Sequence, residues 1–231
     1  MRRVLLTLLA LVVFGIYVLT NQTNLGRPAI TLDTPLDHWI PRIPAGMAIY
    51  LSVYVFLFVP VVQIRHLPTF TAAAFAFFAF NLLGDAVFTY FPVMVTREPV
   101  EIHNVFDWGL AFNYALDPPY NSFPSLHVAN AFFAAFIARR LDKPVGNICL
   151  AVAAAVLLST LVTKQHWIAD VLAGLPLGWA SYYFIVRPKV PIDVSREELT
   201  FPRRYLVALV GLYGLVVAFF VTGYYLGWQP F

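Results

Sequence analysis

Apolar residues in this chain run in long blocks, and polar residues are confined to the stretches between them. A helix needs about 20 apolar residues to cross ~30 Å of hydrocarbon. Seven blocks approach that length, at roughly 4–20, 45–64, 69–91, 125–138, 146–163, 166–186 and 204–227. None shows the period-two alternation of a barrel strand, so the blocks predict helices whose backbone polar groups are satisfied internally. The fourth block is short and opens in a polar motif. A tight turn separates the fifth and sixth, which predicts a helical hairpin. The first begins at Arg2-Arg3 and resembles a secretion leader. Its core nevertheless runs for about 17 residues and ends in Tyr17-Val18-Leu19-Thr20-Asn21 with no small-x-small cleavage pattern, so it is expected to stay as a span. The expected fold is an all-α polytopic transmembrane helix bundle, a single integral membrane domain over residues 1–231.

Composition sharpens this reading. Hydrophobic residues make up 60% of the chain and charged residues 12%, against roughly 25% charged in ordinary soluble domains. That excludes a soluble globular domain, a disordered chain and a nucleic-acid binder. The formal charge of +3 is explained by where the cations fall. With the N-terminus in the cytoplasm, eleven Lys and Arg residues lie inside (2, 3, 65, 139, 140, 143, 187, 189, 196, 203 and 204). Four lie outside: Arg27, Arg42, Arg97 and Lys164. This is the bias of the positive-inside rule. The basic run 187–204 reads as a solvated cytoplasmic loop, with lipid headgroup contact as an alternative. The outer segments 21–44 and 92–124 are too short to be domains. Asn21-Gln22-Thr23 fits a glycosylation sequon, relevant only in a eukaryotic secretory pathway. Cys149 sits alone in an apolar run and suggests packing, not a disulfide or cysteine-based zinc site.

Ionisable residues at membrane depth mark function, and here they gather toward the outer face: Asp85, His127, Lys164, His166 and Asp170. In Tyr120-Asn121-Ser122-Phe123-Pro124-Ser125-Leu126-His127, Pro124 suits a helix start. Ser125 then lies near a helix N-terminus, where free N–H groups and the dipole favour an anion. The same pattern is compatible with a plain N-cap serine and a structural histidine. His166 and Asp170 are four apart and share a helix face. A carboxylate on one ring nitrogen fixes the tautomer and raises the basicity of the other, and Lys164 supplies a positive charge. A structural polar pair and a metal site are the alternatives there, the latter disfavoured by Lys164 and the lack of nearby cysteine. Asp85 and Asn81, one turn apart, read as interhelical hydrogen-bonding residues, with a place near the acceptor as the alternative. His38, His66 and His103 fall in loops or at span ends. The Phe-rich stretch 70–80 reads as lipid-facing or packing surface.

Together these segments resemble the type 2 phosphatidic acid phosphatase family, whose superfamily includes lipid phosphate phosphatases, vanadium haloperoxidases and sphingolipid phosphotransferases. Pro124-Ser125-Leu126-His127 is close to the family's second motif, and Ser159, His166 and Asp170 keep the spacing of its third. The matched segments cover 117–170. The resemblance implies a six-span phosphatase core, here with one additional span. Two elements depart from the pattern. The first motif, a Lys followed by Arg-Pro, has no counterpart; Asp117-Pro118-Pro119-Tyr120-Asn121 stands ahead of Ser125 instead. Thr160 takes the place of the third motif's Arg. Lys164 and Arg97 are the cations expected to replace the missing ones, although Arg97 also fits a solvated loop charge. The variant looks most like the branch of inositol phosphorylceramide synthases and their bacterial relatives.

The resemblance implies a phosphohistidine mechanism with no metal and no cofactor. His166 attacks phosphorus, oriented by Asp170. His127 protonates the leaving oxygen and then deprotonates water or an alcohol. Ser125, Lys164, Arg97, Asn121 and Tyr120 hold phosphate oxygens. The expected activity is a lipid phosphatase acting on a lipid phosphate or diphosphate at the periplasmic, extracellular or lumenal face. Its partners would be a lipid phosphate or phospholipid substrate, the surrounding membrane lipids and an alcohol acceptor, with no nucleic acid. A headgroup phosphotransferase is the first alternative. A non-catalytic transporter or channel is the second, and it predicts polar residues spread through the membrane depth. A degenerate member with a binding role is the third.

Overall fold

The computed structural model describes residues 1–229, apart from the side chain of Leu11. It is an all-helical bundle: α1 (Arg2–Thr23), α2 (Pro35–Trp39), α3 (Gly46–Tyr50), α4 (Ser52–Phe56), α5 (Val59–Gln63), α6 (Leu67–Tyr90), α7 (Val105–Leu116), α8 (Leu126–Leu141), α9 (Lys143–Val162), α10 (Ile168–Ser181), α11 (Arg196–Leu199) and α12 (Arg204–Tyr225). A π-helical turn, Tyr182–Val186, continues α10 toward Lys189. Among the described residues, five helices are long and apolar enough to cross a membrane: α1, α6, α9, α10 with its extension, and α12. The chain is therefore a multi-pass integral membrane protein.

Two of the seven expected spans depart from single long helices. The block 45–64 is divided into α3, α4 and α5. Pro60, at the start of α5, cannot donate a backbone hydrogen bond, and its ring crowds the carbonyl four residues back. Ser52 Oγ also donates to the Ile49 carbonyl at 2.6 Å, competing with the ladder where α3 gives way to α4. The fourth block forms α8, which has 16 residues and so rises only about 24 Å. It tolerates that length because it is the enclosed helix of the bundle. Leu126, Ala129, Phe133 and Ile137 pack into one apolar cluster with Phe70, Phe80 and Phe88 of α6; Ala131, Ala134, Ala135 and Ala138 pack into a second with α4 and α9. Its N-terminus lies beneath the segments that cover one end of the bundle, and His127 is partly buried there.

α8 and α10 approach closely because α10 carries glycine where they touch. A Cβ added at Gly174 would stand 2.3 Å from the Ser125 carbonyl oxygen, and one at Gly178 would stand 2.2 Å from that of Ala129. These are small residues four apart on a crossing face, the usual basis of close helix packing in membranes. The Ser125 N–H also donates to the Asp170 carbonyl at 3.0 Å, locking the first turns of the two helices. Gly174→Ala is therefore expected to destabilise the bundle by about 1–3 kcal/mol through overpacking. Gly214→Ala on α12, with open space around it, should leave a thermal melt in detergent unchanged.

The two ends of the bundle differ. At one end Arg3 donates to the carbonyls of Arg65 and Val61, Arg65 to that of Glu197, and Arg196 and Arg203 pair with Asp142. Arg203 holds the Asp142 carboxyl below its ordinary range through their hydrogen bond. At the other end, extended segments lie side by side. Ile30 donates to Pro92, Met94 to Ile30, Val95 to Pro119 and Ser122 to Val93. The segment 92–124, expected to be loop, also contains α7. Asn104 caps it by accepting from the N–H groups of Phe106 and Asp107. Trp39, Tyr90 and Phe91 are exposed at this end, where aromatic rings suit a membrane interface.

Candidate functional site

The candidate site lies where the α9–α10 turn and the first turn of α8 meet the segments around Arg97 and Asp117–Ser122. His166 precedes α10, and its Nδ1 contacts Asp170 Oδ2 at 3.4 Å, long for a hydrogen bond. The same carboxylate oxygen accepts the Trp167 N–H at 2.8 Å. Across the site, His166 Nε2 and His127 Nδ1 are 3.0 Å apart, and His127 Nε2 is 2.7 Å from the Tyr50 hydroxyl. With Asp170 ionised, one direction of donation satisfies the whole chain. Tyr50 donates to His127, His127 donates to His166, and His166 donates to Asp170. His166 and Asp170 are buried, and His127 is partly exposed toward a cleft.

That cleft is lined by Tyr17, Arg97, Asp117, Asn121, Ser122, Gln165 and both histidines, with Pro118 and Pro119. Arg97 is its cation. It donates to the Asp117 carbonyl and to Gln165 Oε1, each at 2.6 Å, and lies 4.6 Å over the Tyr114 ring. Its Nε is buried and has no hydrogen-bond partner among the described residues. Gln165 is fixed in turn by donating to Asn113 Oδ1 on α7 at 2.6 Å. The Asp117 carboxylate accepts from the Tyr17 hydroxyl and from Asn21 Nδ2. Burial pushes the Asp117 carboxyl up, while the Arg97 guanidinium acts against that shift. The cleft volume is about 10 Å³, no more than a single water needs. A phosphate enters only if the rings and Arg97 part.

The other expected contacts are placed differently. Lys164 Nζ donates to the carbonyls of Asp37 and Ile40 at 3.0 and 2.6 Å, outside the cleft lining. The cause is local: Lys164 adopts φ 52° in the tight turn, which sends its side chain to the end of α2. Burial lowers the Lys164 ammonium from its ordinary range, opposed by Asp37 and Glu98. Asp37 also accepts the Ile168 N–H at 2.7 Å. Lys164 and Asp37 thus clamp the segment 34–40 to the hairpin that carries His166. Ser125 is fully buried and its Oγ accepts the Val128 N–H at 3.3 Å, capping α8. Asn121 lines the cleft while accepting from Asn24 and donating to the Tyr17 carbonyl. Tyr120 is half-buried outside the lining.

Tyr50, Asp117, Gln165 and Tyr17 were not singled out from the sequence. Asp117 and Gln165 stand inside the quoted motifs, so position was the available signal. Tyr50 is one of three hydroxyl residues in the apolar block 45–64, with Ser52 and Tyr54, and no local signal distinguishes it. No cluster of three or more His, Cys, Asp or Glu side chains suited to a metal occurs among the described residues.

Comparison with known proteins gives one family. The model of the PAP2 superfamily matches residues 42–184, which hold Tyr50, Arg97, His127, His166 and Asp170 and leave out α1 and α12. An uncharacterized protein of Methanocaldococcus jannaschii is 31% identical over 117 residues, covering 50% of this chain and 46% of that protein. The chain thus spans about half the length of that relative. No solved structure matches.

Proposed function

This chain belongs to the PAP2 superfamily, and on that premise we propose that it is a membrane-embedded phosphatase of a lipid phosphate or diphosphate. The observation that carries the reading is the 3.0 Å approach of His127 Nδ1 to His166 Nε2, with Asp170 behind and Arg97 beside them. The reaction proceeds through a phosphohistidine. The rings part to admit the phosphate, and Arg97 balances its charge. The His166 Nε2 lone pair attacks phosphorus as the bond to the lipid oxygen breaks. His127 takes up a second proton at Nε2 as the phosphate anion enters, gives its Nδ1 proton to that oxygen and keeps its Nε2–H on the Tyr50 hydroxyl oxygen. Neutral His127 then takes a proton from water, whose oxygen attacks phosphorus, and the N–P electron pair returns to His166. Asp170 holds the imidazole and balances the charge that develops on it.

The positive-inside bias supports a cytoplasmic N-terminus and a site at the opposite face. A phosphotransferase of the inositol phosphorylceramide synthase type shares every step but the last, in which an alcohol replaces water. The polar side chains of the site gather at one end of the bundle rather than along a path, which favours interfacial chemistry over transport.

The test is phosphate release by purified protein from a panel of lipid phosphates in EDTA, with and without added alcohols. Release in water supports the phosphatase, product only with an alcohol supports the transferase, and loss in EDTA overturns a metal-free mechanism. Tyr50 is a positioning residue in this scheme. Tyr50→Phe removes a hydrogen bond to a group that becomes charged, worth about 1.5–3 kcal/mol. Its kcat should fall by about ten- to a hundredfold while KM holds.

A further inference from the structure

Asp85 on α6 has no part in the chemistry above. It is 4% exposed, and neither carboxylate oxygen has a hydrogen-bond partner among the described residues. A carboxylate buried without donors is costly, and at membrane depth such a group usually serves function. Asp85 lines a cavity of about 50 Å³ together with Asn81, His127 and Asn130. Asn81 and Asn130 donate to each other at 3.3 and 3.0 Å. Their remaining amide hydrogens go to their own helices, at Phe77 and Leu126. The two asparagines therefore offer Asp85 no donor, and its carboxylate stands on the cavity wall as a vacant acceptor.

The cavity is the middle of a path. Tyr17 and His127 line both it and the phosphate cleft. Phe14, Tyr54, Leu57, Phe77 and Asn130 line both it and a larger apolar pocket of about 270 Å³. A ligand following the path meets the histidines first, an unpaired acceptor next, and a hydrocarbon environment last. That order matches a lipid phosphate: headgroup, backbone, tail. We propose that Asp85 is a specificity-determining residue that accepts a hydrogen bond from a hydroxyl or amide N–H on the lipid backbone beside the phosphate ester. It selects hydroxylated or amide-bearing lipid phosphates over those carrying only hydrocarbon or ester carbonyls there. A lipid without a donor leaves the carboxylate unpaired, and a site built for a hydrogen bond discriminates strongly on that ground. The inference rests on the phosphatase reading.

The test compares two single-chain glycerol phosphate lipids in one detergent, alike except that the 2-position is a free hydroxyl in one and a methyl ether in the other. Wild-type protein should show kcat/KM at least about tenfold higher for the hydroxyl lipid. Asp85→Leu should bring the ratio close to one, and Asp85→Asn, which keeps one acceptor, should give an intermediate ratio. If Asp85→Leu does not fold, the wild-type pair and the Asn variant decide. Equal wild-type rates, or a preference that persists in Asp85→Leu or is undiminished in Asp85→Asn, overturn the inference and leave the phosphatase standing. Release from a plain alkyl phosphate but from neither glycerol lipid does the same. Release from no lipid phosphate at all removes the phosphatase reading and the inference with it.

Discussion

His166→Ala is expected to lower phosphate release by at least about a thousandfold, because it removes the group that bonds to phosphorus. The intermediate gives a sharper readout than the rate. Quenching wild-type protein in alkaline detergent during turnover of a radiolabelled lipid phosphate should trap a phosphoprotein that is stable in base and labile in acid, as a phosphoramidate is. His166→Ala should trap none while melting in detergent like wild type, since its ring contacts only His127 and Asp170 among the polar groups of the site. Unchanged release in this variant sinks the nucleophile assignment. Asp170→Asn should retain some labelling at a lower rate, because the Trp167 N–H still finds an oxygen on the side chain.

His127→Ala is expected to cost about 10²–10⁴-fold on a lipid phosphate, the usual worth of a positioned acid and base. The effect should depend on the leaving group. A nitrophenyl phosphate expels a stable anion and needs little protonation, so its first step should survive the substitution. The second step should not, because water then lacks its base. The variant should therefore release about one equivalent of nitrophenol in a burst and stall as the phosphohistidine. An equal loss on both substrates with no burst would mean that His127 shapes the site without transferring protons. The Tyr50 hydroxyl, 2.7 Å from the far nitrogen of the same ring, makes Tyr50→Phe a milder copy of this variant.

Much of the fold is legible in the residues because lipid imposes a simple rule. Backbone groups in hydrocarbon must bond within the helix, so apolar blocks of the right length become helices, and the Lys and Arg bias orders their ends. The rule weakens where a helix is shielded from lipid. α8 has 16 residues yet is the central element, and 45–64 is divided where Pro60 cannot donate to the ladder and Ser52 Oγ competes for the Ile49 carbonyl. α7 was not anticipated: its twelve residues sit in a loop too short to signal a span.

In the site, the spacing of four between His166 and Asp170 predicts a shared helix face, but His166 precedes α10, and the two meet at 3.4 Å because the turn at Trp167 folds back onto the first turn of that helix. Direction is another matter. Lys164 stands two residues from His166, yet the left-handed turn points it at α2. Ser125 sits two residues before His127, yet its hydroxyl caps α8. What the residues alone determined was therefore local and periodic: helices, their alternating course through the membrane, and the pairing of His166 with Asp170. What only the tertiary structure decided was convergence. Tyr50 meets His127 across 77 positions and Arg97 meets Gln165 across 68, while Asp85 is left facing a cavity. Such meetings depend on how whole helices pack, on a glycine that lets α10 lie against α8, and on which side chains that packing leaves without partners. No period or spacing along the chain encodes those distances.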